Sequence, residues 1–569
     1  MLLATLPQLH SAFTWQDWLV IAAYLILTTL VGARLAGRQS SIRDFFLAGR
    51  KLPWWAITGS IIATEISAVT FVAVPTLSYA SPGNMTYLQW AVGTIAARVI
   101  VGLYFVPRYY EREIYSPYDY LGQRLGVGVK KVTTGLFLVG AVLGQGARLY
   151  VTAFVLSAIT GLSLTSSIWI IGAFSVCWAL LGGMTTVIWT DVIQFVVFVF
   201  GASLALYWSV SSVPGGMEAV VATARAADRF RLVDTTLDLS LKYTLWIGLF
   251  AMPFCNLAAF GTDQVMAQRM FCCRNQRDAS KAIIASCVSL GAAVLMLGVG
   301  IALFCYFKAY PFSSPESALY SSNKNYLLPI FIVRAMPVGI RGLVVAALFA
   351  AAIASLDGAL TALAQTTLDL TSKFRASAGP RWPALWRGFS GNDVRASRVL
   401  VAAWGAGLCL MAMACIVIAR HYANAVELAF ALVGYTYGPM LGIFLLAFLP
   451  TGRDHSGLVW AVPISVLAVF GVCVHGSPGD WTILGCYWVD WIVWGGAAMC
   501  LLLALLRAQG SAGRVATIVA GAVVVVLLHS YHVHSPDGSV KYLAFPWSYP
   551  IGSAMTFALG YCLGKPVPR

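Results

Sequence analysis

Charge is what this chain has least of. Asp, Glu, Lys and Arg make up 10% of its 569 residues, while 59% are hydrophobic. Soluble globular proteins carry about 25% charged residues, so the composition is that of a polytopic membrane protein and excludes a soluble multidomain enzyme. Histidine is also sparse. The seven present, His10, His421, His455, His475, His529, His532 and His534, lie in chain ends and loops away from the intramembrane carboxylates. With no metal or nucleophile set among them, no enzyme is expected, and His529, His532 and His534 read as part of a solvated loop. Met1 to Trp15 has no basic start, so no cleavable signal peptide is expected and the first span reads as permanent. The twelve cysteines fall mostly inside apolar runs, where they pack rather than react. A disulfide between Cys473 and Cys486, which flank one outside loop, is the weaker alternative to free thiols.

Long apolar runs are what the chain has in abundance. Windows of roughly 18 residues or more can cross a bilayer. About fifteen occur, near 15–36, 53–80, 85–107, 130–161, 165–184, 187–212, 242–262, 279–307, 341–373, 396–419, 424–449, 457–475, 485–507, 513–531 and 544–564. With the N-terminus outside, 25 of the 37 Lys and Arg residues fall in cytoplasmic loops, Arg269, Arg274, Arg277 and Lys281 among them. Outside loops hold 10, and Arg98 and Arg148 fall within spans. The formal charge of +15 then reports membrane topology and not a nucleic-acid partner. The outside loops 213–241 and 308–340 read as carrying short helices, and 374–394 as a cytoplasmic linker.

Two kinds of anomaly mark candidate sites. Asp191 stands in an apolar stretch from Ile168 to Leu206, where a carboxylate is costly unless a cation, proton or polar partner satisfies it. The alternative is a side chain snorkelling to the cytoplasmic edge. Two spans also look broken. One carries Ala63-Thr64-Glu65-Ile66-Ser67-Ala68-Val69-Thr70 at its middle; another carries Pro253 and Asn256, then Gly261-Thr262-Asp263-Gln264. Paired interrupted helices in two halves of a transporter point to an ion and solute site at the midplane.

The run Gly182-Gly183-Met184-Thr185-Thr186-Val187-Ile188-Trp189-Thr190-Asp191-Val192-Ile193-Gln194 resembles the signature of the sodium/solute symporter family. Further similar stretches follow in order: Asp44 to Arg50, Ser116-Pro117-Tyr118-Asp119-Tyr120-Leu121, Gly261 to Gln264 with Gln268-Arg269, Ala350 to Leu360, and Tyr437 to Gly442. The resemblance implies an all-α fold, a leucine-transporter-type 5+5 inverted repeat with one N-terminal and about four C-terminal extra helices. Residues 1–51 would hold the first extra helix and cytoplasmic loop, 52–240 and 241–450 the two repeats, and 451–569 the C-terminal helices.

The same resemblance carries over a sodium site: carbonyls of Ala63, Ile66 and Ala351 with hydroxyls at position 354 and Ser355. Oxygen ligands from unwound backbone suit a hard cation. Position 354 is Ala where the family has Ser or Thr, which removes one ligand. Asp357, on one helix face with Thr361, and Asp191 resemble the region where some relatives hold a second sodium; either could instead bond a neighbouring hydroxyl as a neutral acid. Ser67, Thr70 and Gln89 match positions that contact solute in sialic acid carriers, and Asn256 and Phe260 such positions in sugar carriers. Arg148 would pair either with a solute carboxylate or with Glu65.

The expectation is a secondary active symporter, multi-pass in the plasma membrane with its N-terminus outside and C-terminus cytoplasmic. It would couple inward Na+ flow to uptake of a small polar solute, such as a carboxylate or sialic-acid-like sugar acid. The alternative is a proton-coupled or uncoupled carrier of the same fold for a neutral sugar or amino acid. The expected partners are the solute, sodium and the lipid bilayer, with the chain a monomer or weak oligomer.

Overall fold

Proline, glycine and short extended segments set where the helices of this chain start and stop. The computed structural model describes residues 13–35, 46–111, 114, 116–378, 394–422, 424–449, 454–455, 457–475, 482–483, 486–507, 512–534 and 540–564. Asp44, Phe45, His10, most of the 374–394 linker and the side chain of Cys486 lie outside the described residues. Cys473 is a free thiol, so the disulfide alternative has no support from its side.

Helices α1 (Trp15–Leu35), α2 (Trp54–Glu65) and α3 (Ala68–Tyr79) come first. Next are α4 (Thr86–Tyr110), α5 (Pro117–Leu125), α6 (Val127–Thr160), α7 (Leu164–Leu180), α8 (Gly183–Ser211) and α9 (Gly216–Ala226). The middle of the chain forms α10 (Leu245–Thr262), α11 (Gln264–Phe271), α12 (Gln276–Ala309), α13 (Ser314–Ser322), α14 (Leu327–Ala335) and α15 (Ile340–Leu370). The last stretch forms α16 (Ala396–His421), α17 (Ala425–Phe448), α18 (Leu458–Cys473), α19 (Trp488–Arg507), α20 (Ala512–Ser530) and α21 (Ser548–Leu563). Among the described residues nine helices are long and apolar enough to cross a membrane, and α2 with α3 make a tenth span bent by 61°. The shorter apolar helices α7, α18, α19, α20 and α21 occupy the other five windows. Gly183 divides α7 from α8 with φ 57°, a conformation that glycine adopts without a Cβ penalty.

The chain forms two compact units. The first comprises residues 1–88, 141–233 and 268–429. At its centre lies α15, with 94% of its most apolar stretch buried, packed on α1, α2 and α7–α8. Small residues let these helices approach: Gly59 sits against Val192, Gly201 against Ala347, and Gly32 against Thr186 and Thr190. α12 packs on α3 through Gly300, where a Cβ would fall on the Pro75 carbonyl and the Ser78 hydroxyl. Gly300→Val is therefore expected to force α12 off α3 and cost about 1–3 kcal/mol, read as a lower thermal unfolding midpoint in detergent. Beyond α9, the Arg229 guanidinium donates to the carbonyls of Ser78, Ala80 and Gly83 and so caps the end of α3.

The second unit comprises residues 89–140, 234–267 and 430–569. Its C-terminal helices α18, α20 and α21 pack together. His529, read from sequence as part of a solvated loop, is buried at the end of α20. It bonds the Gly471 carbonyl at 3.0 Å and the Asp490 carboxylate at 2.8 Å, because α20 carries it back against the ends of α18 and α19.

Candidate functional site

Two extended residues, Ile66 and Ser67, separate α2 from α3. In a continuous helix the Ala63 carbonyl would accept from the Ser67 N–H, and the Ile66 carbonyl from the Thr70 N–H. Here the Ser67 N–H turns to the Thr70 hydroxyl at 3.4 Å, and the Thr70 N–H to the Ser67 carbonyl at 2.9 Å. Ser67 and Thr70 form the capping box of α3, and that cap takes Ala63 and Ile66 out of the helical ladder. These are the two carbonyls expected to hold sodium. Both residues are buried, as are Ala351 and Ser355 on α15, against which α2 packs. The Ser355 hydroxyl donates to the Ala352 carbonyl at 2.9 Å, which leaves its oxygen lone pairs to accept or coordinate. Ala354 is fully buried and brings no oxygen from its side chain.

One helical turn before the break lies a charged cluster with no exposure to solvent. Asp191 on α8 accepts from the Ser60 hydroxyl of α2 at 2.5 Å and from the Arg269 guanidinium at 3.0 Å. Arg269 Nε also donates to Ser60 at 2.9 Å, closing a triangle. Asp191, Arg269, Ser60 and Asp357 are all fully buried. Asp357 on α15 is within electrostatic reach of both Asp191 and Arg269, and its neighbour Gly358 lies against the guanidinium, where a Cβ would collide. Two carboxylates thus share one guanidinium. Asp191 Oδ1 and Asp357 Oδ2 have no hydrogen-bond partner among the described residues. Arg269 was missed as a site residue because positive-inside counting places it in a cytoplasmic loop. Its position eight residues past Gly261, in the stretch that follows the second break, was the available signal.

The solute candidates divide between the units. In the first, Arg148 on α6 is half-buried beside the break and donates to the Thr64 carbonyl at 3.1 Å. In the second, the Gln89 side chain bonds the Tyr243 carbonyl and the Asp234 N–H, each at 3.0 Å, and pins the loop before α10. Asn256 donates to the Met252 carbonyl at 2.9 Å, and Phe260 is buried under the Arg98 guanidinium, 4.3 Å from the ring centroid. The α10 span is interrupted at Ala251, beside Pro253, where one helical segment ends at Phe250 and the next starts at Met252, and it ends at Asp263, which is extended. Pro253 stands in the first turn of a helical segment, where its missing N–H breaks no bond. Asp263 accepts from the Val265 N–H at 2.7 Å and from the Tyr437 hydroxyl at 2.8 Å, while the Tyr109 hydroxyl caps the Gly261 carbonyl at 2.6 Å.

The profile of the sodium:solute symporter family matches residues 45–462. The chain belongs to this family. It is 29% identical over 475 residues to the sodium/sialic acid symporter NanT of Aliivibrio fischeri, covering 81% of this chain and 88% of that one. To the sodium/sialic acid symporter SiaT of Proteus mirabilis it is 26% identical over 465 residues, covering 81% and 90%. A solved structure described as the substrate-bound outward-open state of a Na+-coupled sialic acid symporter superposes with a TM-score of 0.72 at 22% identity, covering 96% of this chain and 97% of that one. That likeness shows the leucine-transporter-type fold with its 5+5 repeat. The protein is a membrane-embedded, sodium-coupled solute symporter, a transporter and not an enzyme.

Proposed function

We propose that this symporter takes up a small organic anion, a carboxylate or a sialic-acid-like sugar acid, together with sodium, using the broken helix α2–α3 as the centre of both sites. The observation that supports this reading is the release of the Ala63 and Ile66 carbonyls from the helical ladder by the Ser67–Thr70 cap, against the buried Ala351 and Ser355. Sodium would take those oxygens. The excess of buried carboxylate over guanidinium at Asp191, Asp357 and Arg269 suits a second cation, sodium or a proton. Arg148, at the same break, supplies the positive charge that an anionic solute needs, and Ser67 and Thr70 offer hydroxyls beside it. Gln89, Asn256 and Phe260 lie in the second unit and keep the solute role that the resemblance implies. The sialic acid carried by the two relatives is itself a carboxylate sugar. We place the chain in the plasma membrane with its N-terminus outside and its C-terminus cytoplasmic, as a monomer or weak oligomer. Residues 52–240 and 241–450 form the two repeats.

Uptake into proteoliposomes of sialic acid, lactate and glucose, each in sodium or choline, tests the reading. Carboxylates should enter with sodium, and glucose should not. Because Ala354 withholds an oxygen, Ala354→Ser is expected to lower the sodium concentration for half-maximal uptake by about tenfold, one ligand being worth about 1.4 kcal/mol on that scale. Equal uptake in sodium and choline with a pH-gradient dependence would transfer the case to proton coupling.

A further inference from the structure

The last helix, α21, lies beyond residue 462, where the match to the symporter family ends. Its buried stripe runs through Ser548, Tyr549, Gly552, Ser553 and Thr556 and lies against α17. On α17 the facing positions are Gly434, Gly438 and Gly442, one every fourth residue and so on one face. A Cβ at Gly434 would come within 3.1 Å of the Ser548 hydroxyl, at Gly438 within 2.9 Å of the Tyr549 carbonyl, and at Gly442 within 2.6 Å of the Ser553 carbonyl. Backbones that approach this closely fix the register of one helix on the other. The Ser553 hydroxyl adds a bond to the Gly438 carbonyl at 2.9 Å.

That contact aims Tyr549, which is fully buried. Its hydroxyl donates to the Phe430 carbonyl of α17 at 2.7 Å, and the Cys255 thiol of α10 is within hydrogen-bond reach of the same oxygen. Both helices joined there are weak on their own. Pro439 removes a ladder bond inside α17. On α10 the segment Met252–Leu257 is six residues long, set between the interruption at Ala251 and the wide turn Ala258–Thr262. A segment that short takes its position from packing and not from its own helical bonds. It carries Cys255 and, next to it, Asn256. The Asn256 amide nitrogen is spent on the Met252 carbonyl, so its oxygen is what it offers a solute.

We infer that Tyr549 is a positioning residue for solute binding: seated by the glycine face of α17, its hydroxyl ties α17 to the short α10 segment and fixes where Asn256 presents its amide oxygen. The inference rests on the reading of Asn256 as a solute contact. Tyr549, Phe430, Cys255 and Asn256 all lie in the second unit, whereas the proposed sodium ligands Ala63, Ile66, Ala351 and Ser355 lie in the first. Loss of the hydroxyl should weaken solute affinity and leave the sodium dependence alone.

The test is sodium-driven uptake of radiolabelled sialic acid into proteoliposomes by wild type, Tyr549→Phe, Asn256→Ala and the double variant, with thermal midpoints in detergent. Phenylalanine keeps the ring and removes only the oxygen. Tyr549→Phe is expected to raise the KM for sialic acid by about 3–10-fold, the worth of one hydrogen bond. The maximal rate and the sodium concentration for half-maximal uptake should be kept, and the midpoint should stay within about 2 °C of wild type. Asn256→Ala should raise KM by at least as much, and adding Tyr549→Phe to it should change nothing further. Cys255→Ala removes the other end of the contact and should give the same KM shift, which decides the matter if Tyr549→Phe does not fold. An unchanged KM in Tyr549→Phe beside a raised one in Asn256→Ala overturns the role of Tyr549 and keeps Asn256 in the solute site. A Tyr549→Phe shift that persists in full on the Asn256→Ala background, or that comes with a lower midpoint and maximal rate, also overturns it, because the tyrosine is then structural only. An Asn256→Ala protein with wild-type KM, or no sialic acid uptake by wild type, overturns the reading of the solute site and the inference with it.

Discussion

Arg269→Ala is expected to cost this symporter about 3–5 kcal/mol of stability, the usual penalty for removing one partner of a buried ion pair. The substitution leaves Asp191 and Asp357 fully buried without the guanidinium that Asp191 pairs with at 3.0 Å. Asp191→Asn added to Arg269→Ala removes one of the stranded charges and should recover part of the loss, since a neutral amide can still bond Ser60. Sodium should raise the thermal midpoint of the single variant more than that of wild type, because the ion can occupy the space and charge vacated by the guanidinium. The readout is tryptophan fluorescence during heating in detergent, with sodium or choline. An Arg269→Ala protein as stable as wild type in choline would show that the pair does not hold Asp191 in place.

The second large effect is expected from Arg148→Ala, which should lower uptake of the anionic solute by roughly 10–100-fold, the worth of a charge-assisted hydrogen bond. Sodium binding should persist, because Ala63, Ile66, Ala351 and Ser355 are untouched. The guanidinium donates to the Thr64 carbonyl at 3.1 Å, and with the solute as its partner Arg148→Ala should leave the fold intact. Should Glu65 be its true partner, the outcome differs: Arg148→Ala destabilises the protein, and adding Glu65→Gln restores it. Uptake assays beside thermal midpoints of the three proteins separate the two cases. A neutral sugar transported equally well by wild type and Arg148→Ala would remove the arginine from the solute site.

Span number and position were legible along the chain because hydropathy is a local property. Each of the fifteen apolar windows became a helix, and the first break sits where Ala63 to Thr70 interrupts an apolar run. The second span breaks at Ala251 beside Pro253, which then sits in a first helical turn where it removes no bond, and ends at the extended Asp263, which caps the helix that follows. Asp191 was legible as a carboxylate within an apolar span, but what answers its charge was beyond reach. Arg269 lies 78 residues further on, in a stretch that hydropathy and charge counting assign to a loop. Only packing brings it under Gly358, whose missing side chain makes the space for it. What the sequence by itself determined was which segments leave water and which polar groups are stranded there. Which stranded groups meet was decided by the tertiary structure alone, because pairing across helices depends on contacts that no local pattern encodes.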